Sequence, residues 1–283
     1  MTAHVTAPSS TATREQLDHV IGLMEGRRTV VLTGAGVSTD SGIPDYRGEG
    51  APTRTPMTLQ QFLADDGHRK RYWAGSHLGW RRFGSAEPNA GHRALADLER
   101  GGHVSGVVTQ NVDGLHTRAG SRHVVELHGS MDRVLCLDCG QTFARSNIAD
   151  RLRAANPWLS EAEVVRIAPD GDAEVEDIDR FVVPVCTVCY GRLKPDVVFF
   201  GEFVPSEKFA EAAALVQNSD LLVVAGSSLV VNSGIRLMEQ ARRRKLPIVV
   251  VNRGVTRGDA RATHKLDAGT SETLTALAER LLG

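Results

Sequence analysis

Aromatic residues make up only 5% of this 283-residue sequence, cysteines number four, and acidic and basic residues almost cancel, 34 against 33. With a formal net charge of −1 there is no global electrostatic attraction for nucleic acid or an anionic membrane. No apolar run approaches the roughly 20 residues that cross a bilayer as a helix. Residues 1–13 are rich in Ala, Ser and Thr, without an apolar centre or an Arg-rich amphipathic face. They read as a disordered tail and not as a secretory signal or presequence, and the expected compartment is the cytoplasm.

What is present is a regular alternation. Short β-branched apolar runs at 28–33, 104–109, 123–127, 220–225 and 247–251 predict strands. Amphipathic helices are expected near 14–25, 89–100, 205–217, 233–243 and 271–282, with Asn89 and Ser233 as N-caps and Gly101-Gly102 as a helix stop. Continuous apolar strands separated by helices predict an α/β fold: a Rossmann-like, doubly wound parallel sheet covered on both faces. Two stretches break the rhythm. Residues 48–86 carry Trp73, Trp80 and a helical patch near 58–73, and residues 132–198 hold every cysteine around an acidic run at 170–179. They predict a smaller inserted domain, part helical and part zinc ribbon, leaving 14–47, 87–131 and 199–283 as the large part.

The first strand leads directly into Gly34-Ala35-Gly36. Such a turn is tight and lets backbone N–H groups approach a diphosphate. Two features depart from an ordinary hydride-transfer enzyme: Thr39 replaces the third Gly or Ala, and no ribose-binding acid ends a second strand about 20 residues on. Beyond the turn, Ile43-Pro44-Asp45-Tyr46-Arg47 places a carboxylate, an aromatic ring and a guanidinium beside the expected nucleotide.

Cys136-Leu-Asp-Cys139 and Cys186-Thr-Val-Cys189 form two knuckles, each followed by glycine (Gly140, Gly191). Two such pairs fit a tetrahedral zinc, which four protein thiolates would make structural, with no open coordination position. Two disulfides or a redox dithiol are the alternative, and a zinc-ribbon nucleic-acid module is a further one, although no basic or aromatic stripe flanks the knuckles.

Other strand ends carry polar residues where open α/β sheets bind ligands. Gln110-Asn111-Val112-Asp113 offers amides and a carboxylate suited to ribose hydroxyls and a carboxamide, or else a self-bonded turn. His128 is a candidate general base, with His116 a rival. Gly226-Ser227-Ser228 and Asn252-Arg253-Gly254 follow two further strands.

Taken in order, these elements resemble the sirtuins, NAD-dependent protein-lysine deacylases. The matching segments are Gly34–Ser38, Gly42–Arg47, Thr109–Asp113, Leu115-His116, His128-Gly129, the paired knuckles, Val197–Glu202, Gly226–Ser228 and Asn252-x-Gly254. Tyr46, where many members have phenylalanine, and the long spacer between knuckles resemble the class II branch. The resemblance implies that the acyl-lysine oxygen attacks C1′ of the nicotinamide ribose of NAD, and that His128 then deprotonates a ribose hydroxyl so that the 2′-oxygen attacks the acyl carbon. It further implies that Asp113, Ile43 and Val112 hold the carboxamide, Asn111 and Gln110 the ribose, and Asp45, Tyr46 and Arg47 a gate at the scissile bond. Gly34, Ala35, Gly36, Gly226, Ser227, Ser228, Asn252, Arg253, Gly254 and Thr270 would bind the ADP half. An acylated-lysine protein or peptide would add as a strand between Val198–Glu202 (including Phe199, Phe200 and Gly201) and Leu229-Val230, with Phe199-Phe200 lining or supporting the acyl-lysine tunnel. The stretch Tyr72–Trp80 lacks a Tyr-x-x-Arg pair, which disfavours small dicarboxyl acyl groups. Neither nucleic acid nor membrane is expected as a partner. Mono-ADP-ribosyl transfer and a lipoamidase-type reaction remain alternatives.

Overall fold

The computed structural model describes residues 11–45, 56–161 and 178–283. Tyr46, Arg47 and the acidic residues 170–177 lie outside them. In chain order the elements are α1 (Arg14–Met24), β1 (Thr29–Thr33), α2 (Leu59–Ala64), α3 (Asp66–Gly84), α4 (Ala90–Arg100), β2 (Val104–Thr109), α5 (Leu115–Arg118) and β3 (Val124–Glu126). They continue as β4 (Gly129–Cys136), β5 (Thr142–Ala144), α6 (Arg145–Ala155), β6 (Leu193–Val197), α7 (Ser206–Gln217), β7 (Leu221–Ala225), α8 (Asn232–Arg243), β8 (Ile248–Val251), β9 (His264–Leu266) and α9 (Thr270–Leu282).

Six strands form a parallel sheet in the order β3-β2-β1-β7-β8-β9. The all-apolar strands follow from burial on both faces. Val31, Val107, Val223 and Val249 pack against α1, α4 and α9. Val30, Leu32, Leu222, Val224 and Val250 face the opposite side with residues of α7 and α8. Because successive side chains alternate faces, neither side of such a strand can be polar. From β1 the chain runs outward through β2 and β3, then returns to β7 on the other flank of β1. That reversal opens a crevice beyond the carboxyl ends of β1 and β7.

The smaller part has a three-stranded antiparallel sheet, β5-β4-β6. With α2, α3 and α6 it encloses its own core, including Phe62, Tyr72, Trp73, Met131, Val134, Ile148, Leu152 and Leu193. Arg133 bridges the two sheets, pairing with Glu126 and Asp196 at 2.8 Å each. It is 37% exposed, so each pair contributes about 1 kcal/mol or less. The continuous chain from β3 into β4, with Val198 N donating to the His128 carbonyl at 2.8 Å, is the stronger join.

Several expectations need correction. Thr13, read as the last tail residue, caps α1 in a capping box with Gln16. The patch at 58–73 is two helices, divided where Asp65 caps α3 through its bond from His68 N. The small sheet begins at Gly129 and not at 132. Ser233 does not cap α8; the helix starts one residue earlier, after Val231. Asn89 does cap α4, accepting from Gly91 N and His92 N. Among the described residues, no helix is long and apolar enough to cross a membrane.

At the crevice the loops after β1 and β7 touch. Gly34 N donates to Ala225 O at 3.1 Å and Gly36 N to Gly226 O at 2.8 Å. Gly226 has φ 62°, and a Cβ there would lie 2.5 Å from Val37 N and 2.7 Å from the Gly36 carbonyl carbon. Gly226→Ala is expected to destabilise the protein by about 2–4 kcal/mol, since strain in the left-handed region adds to a backbone clash. The midpoint of a denaturant titration reads this loss, and an unchanged midpoint would mean that the loops separate freely.

Candidate active site

Five strand ends meet around the crevice. The ring of His128, two residues beyond β3, is held from two sides. Its Nδ1 lies 3.0 Å from the Gln110 carbonyl and its Nε2 lies 2.8 Å from Ser233 Oγ. A carbonyl only accepts, so Nδ1 carries the hydrogen and Nε2 presents a lone pair. Crowding lowers the His128 pKa below 6.5, a desolvation effect partly offset by the Gln110 bond. The imidazole is therefore neutral at physiological pH, with the tautomer a base requires. His116, the rival candidate, is fully enclosed: its Nε2 meets Thr33 Oγ1 at 2.9 Å, and it faces the neighbouring buried His92 at 4.8 Å between ring centroids.

Gln110 ties the centre together. Its side-chain oxygen accepts from Ser227 Oγ at 2.6 Å, linking the β2 end to the β7 loop. Asn111 Nδ2 donates to Gly34 O at 3.0 Å and to Ser38 Oγ at 2.9 Å. Ser38 Oγ in turn donates to Asp113 Oδ2 at 2.7 Å, while Leu115 N donates to Oδ1. Burial raises the Asp113 pKa, and the Ser38 and Leu115 bonds pull it back. Val112 joins the edge of the small core, and Ile43 is buried within it. Asp45 follows on the partly buried segment after Ile43.

On the far flank, Ser228 O accepts from Arg257 N at 3.0 Å, and Asn252 Nδ2 donates to Arg253 O at 2.6 Å. Gly254 N bonds Asp267 Oδ1 at 2.9 Å. Thr270 Oγ1 donates to Gly36 O at 3.0 Å, so the start of α9 is fixed against the Gly34-Ala35-Gly36 loop. Close approach at Gly34, Gly36 and Gly226 leaves only main chain where the two loops meet, the kind of surface a diphosphate approaches. Residues and loop chemistry fit a dinucleotide.

The Val198–Glu202 segment leaves β6 beside His128. Phe199 is buried, with ring centroids 5.2 Å from Phe62 and 4.9 Å from Tyr72. Phe200 is 45% exposed, and its carbonyl accepts from Leu59 N at 3.0 Å. The pair therefore does not act together: along an extended segment successive side chains point opposite ways, so only Phe199 reaches the interior. The loop is pinned by Glu202, which accepts from Phe199 N at 2.8 Å and pairs with buried Lys194 at 3.0 Å. Across the cleft, Leu229 is buried at φ 56° and Val230 is exposed. Lys194, Ser38, His92 and Ser233 were not selected as site residues from sequence; isolated polar residues without a recurring spacing gave no signal.

The four cysteines converge with their sulfur atoms all within 4.8 Å of one another. Cys136 and Cys189 are 3.5 Å apart, and Cys139 and Cys186 3.8 Å. Sulfurs around a tetrahedral zinc with bonds of about 2.3 Å would stand roughly 3.8 Å apart, so the set fits that ion. Val188 N points at Cys186 Sγ (3.4 Å), the kind of donor that stabilises a bound thiolate. Gly140 takes the left-handed position of the first knuckle, but in the second that position belongs to Tyr190 at φ 59°, not Gly191.

Two stability tests follow from these groups. Chelation of the metal should lower the thermal midpoint and expose the small core to a hydrophobic dye, with one equivalent of zinc released; an unchanged midpoint would refute a structural metal. Burial pushes the His92 pKa down to about 4 from an ordinary 6.5, and burial lowers His116 as well. The unfolded chain binds these protons first as pH falls, so stability is lost between pH 6.5 and 4, by up to roughly 3 kcal/mol for His92. Urea midpoints across that range measure it, and His92→Gln should flatten the loss.

Comparison with known proteins agrees with this arrangement. A protein of Mycobacterium avium (strain 104) named NAD-dependent protein deacetylase 1 is 52% identical over 275 residues, covering 96% of this chain and 98% of the relative. The mitochondrial NAD-dependent protein lipoamidase sirtuin-4 of Bos taurus is 48% identical, covering 88% and 81%. A solved structure described as Sir2 with a p53 peptide and NAD+ superposes with a TM-score of 0.75 at 31% identity, covering 94% of this chain and 97% of that one. The sequence profile of the Sir2 family matches residues 34–233, and the chain belongs to that family.

Proposed function

We propose that this protein removes acetyl or other acyl groups from protein lysines at the expense of NAD, releasing nicotinamide and 2′-O-acyl-ADP-ribose. The observation that carries the reading is the fixed tautomer of His128: a neutral, half-buried imidazole whose hydrogen is held at Nδ1 by the Gln110 carbonyl and whose Nε2 keeps a lone pair, bonded by Ser233 Oγ. The 52% identity to an NAD-dependent protein deacetylase over almost the whole chain supports it. Bound NAD supplies an anomeric carbon that exchanges nicotinamide for the acyl oxygen, and a ribose hydroxyl that finally carries the acyl group.

The chain's own residues do the rest. The Gly34–Gly36 and Gly226–Ser228 loops flank the diphosphate, with the Gly34, Gly36 and Gly226 N–H groups engaged in fixing the loops themselves, while Asn252, Arg253, Gly254 and Thr270 close the adenosine side. Asn111 and Gln110 orient the ribose, and Asp113, Val112 and Ile43 receive the carboxamide. His128 is the base that gains a proton at Nε2 as the ribose hydroxyl is deprotonated, and the Gln110 carbonyl steadies the imidazolium that results. The substrate backbone lies between Val198–Glu202 and Leu229-Val230, with Gly201 leaving room at the turn. Phe199, Phe62 and Tyr72 wall the inner end of the acyl channel and exclude water. The four thiolates of Cys136, Cys139, Cys186 and Cys189 hold zinc away from the chemistry.

A second reading, a long-chain or lipoyl-type deacylase, is favoured by the 48% identity to the bovine lipoamidase and by the apolar, aromatic wall of the channel. A panel of acyl-lysine peptides with NAD separates the two. Acetyl turnover with stoichiometric nicotinamide supports the first, and preferential lipoyl or long-chain turnover the second. ADP-ribose attached to protein with every peptide untouched would overturn both. His128→Ala should slow lysine release by about 10²-fold or more while NAD still binds.

A further inference from the structure

Ser233 has no part in the mechanism as given, and its placement is unusual. It is only 6% exposed and lies in the first turn of α8, where a serine hydroxyl ordinarily serves the helix by capping free N–H groups. Here the cap position is Val231, which provides no side-chain bond, and the Ser233 hydroxyl is directed instead onto His128 Nε2. Since His128 Nδ1 carries the ring hydrogen, Ser233 must be the donor in that 2.8 Å contact. Both oxygen lone pairs of Ser233 then remain available, as no other bond to it is found among the described residues.

The neighbourhood makes this position rigid. A Cβ on Gly234 would lie 2.9 Å from Gln110 Nε2 and 3.1 Å from Leu229 Cδ2, so the start of α8 presses against the same Gln110 that fixes the ring through its carbonyl. One residue therefore positions both partners of the Ser233–His128 bond, one through its main chain and the other through its side chain.

A base whose lone pair is already occupied can act in two ways. The ribose hydroxyl displaces the serine, or it hands its proton through it. We infer that Ser233 is a further catalytic residue and relays the proton. The ribose O–H bond breaks as a new bond to Ser233 Oγ forms, and the original Ser233 proton passes to His128 Nε2. The ribose oxygen keeps the electron pair with which it attacks the acyl carbon. The relay rests on His128 being the base.

Three variants test it: Ser233→Ala, Ser233→Thr and His128→Ala. In the protein without NAD, NMR titration of the His128 ring reads the bond directly. A donor on Nε2 favours the neutral ring, so Ser233→Ala should raise the His128 pKa towards 6.5, while Ser233→Thr should leave it where it is. In single-turnover quench experiments, Ser233→Ala should release nicotinamide at the wild-type rate but transfer the acyl group about 10²-fold more slowly. Ser233→Thr should restore transfer. Unchanged or faster transfer in Ser233→Ala would overturn the relay in favour of displacement. A parallel fall in both steps, or an unmoved His128 pKa, would overturn it in favour of a merely structural serine. Full transfer in His128→Ala would instead overturn the base assignment itself, so the two failures are distinguishable.

Discussion

The contact between the loops after β1 and β7 is the constraint on which the site depends. Where a doubly wound sheet reverses direction, two strand ends lie side by side, and their loops must either diverge or interlock. Here they interlock through Gly34 N to Ala225 O and Gly36 N to Gly226 O. The approach is so close that a Cβ on Gly34 would fall 2.8 Å from Gly226 O. The glycines are thus demanded by each other before any ligand arrives. Smooth, side-chain-free backbone is the by-product, and it is also what a diphosphate requires.

From that junction, order spreads through amide side chains. Asn111 reaches back to Gly34 O, Gln110 reaches forward to Ser227, and the Gln110 carbonyl sets the tautomer of His128. Each bond is ordinary, worth about 1 kcal/mol. Together they place a nucleotide cradle and a proton acceptor on one rigid edge, and the buried Ser38–Asp113 bond lies behind it. Leaving any of these groups unpaired would cost more than each bond contributes, which favours retaining the network as a unit.

Much of this was legible in sequence, and for identifiable reasons. The large sheet's strands are buried on both faces and read as unbroken apolar runs, so five of its six strands were found within a residue or two. The sixth, β9, has three residues and one buried side chain. The small sheet escaped notice because β4 and β5 are partly exposed and its strands carry Asp132, Arg133, Lys194 and Asp196 among their apolar residues. Its pairing is long-range, and Lys194 is buried for a reason, Glu202, that sequence spacing does not reveal. The knuckles read as a zinc-binding set, with two disulfides or a redox dithiol as the alternative, and the left-handed position of the second falls on Tyr190 where the residue preference points to Gly191. Ser233 was assigned a cap on propensity alone, and tertiary geometry gave its hydroxyl to His128.

The division into two sheets also explains what a metal remote from the chemistry contributes. His128 sits at the boundary: Gly129 begins β4 directly after it, and a side chain there would collide with the Asp196 backbone on β6. The ring is oriented by the large sheet through Gln110, whereas the backbone is bonded to the small part through Val198 N. A shift between the sheets would therefore move the base relative to the cradle. The small core ends at a pair of knuckles with two exposed cysteines. A tetrahedral ion held there would tie down the Cys136 end of β4, which pairs with Leu193 of β6, and the same two strands meet again at Gly129 and Val197.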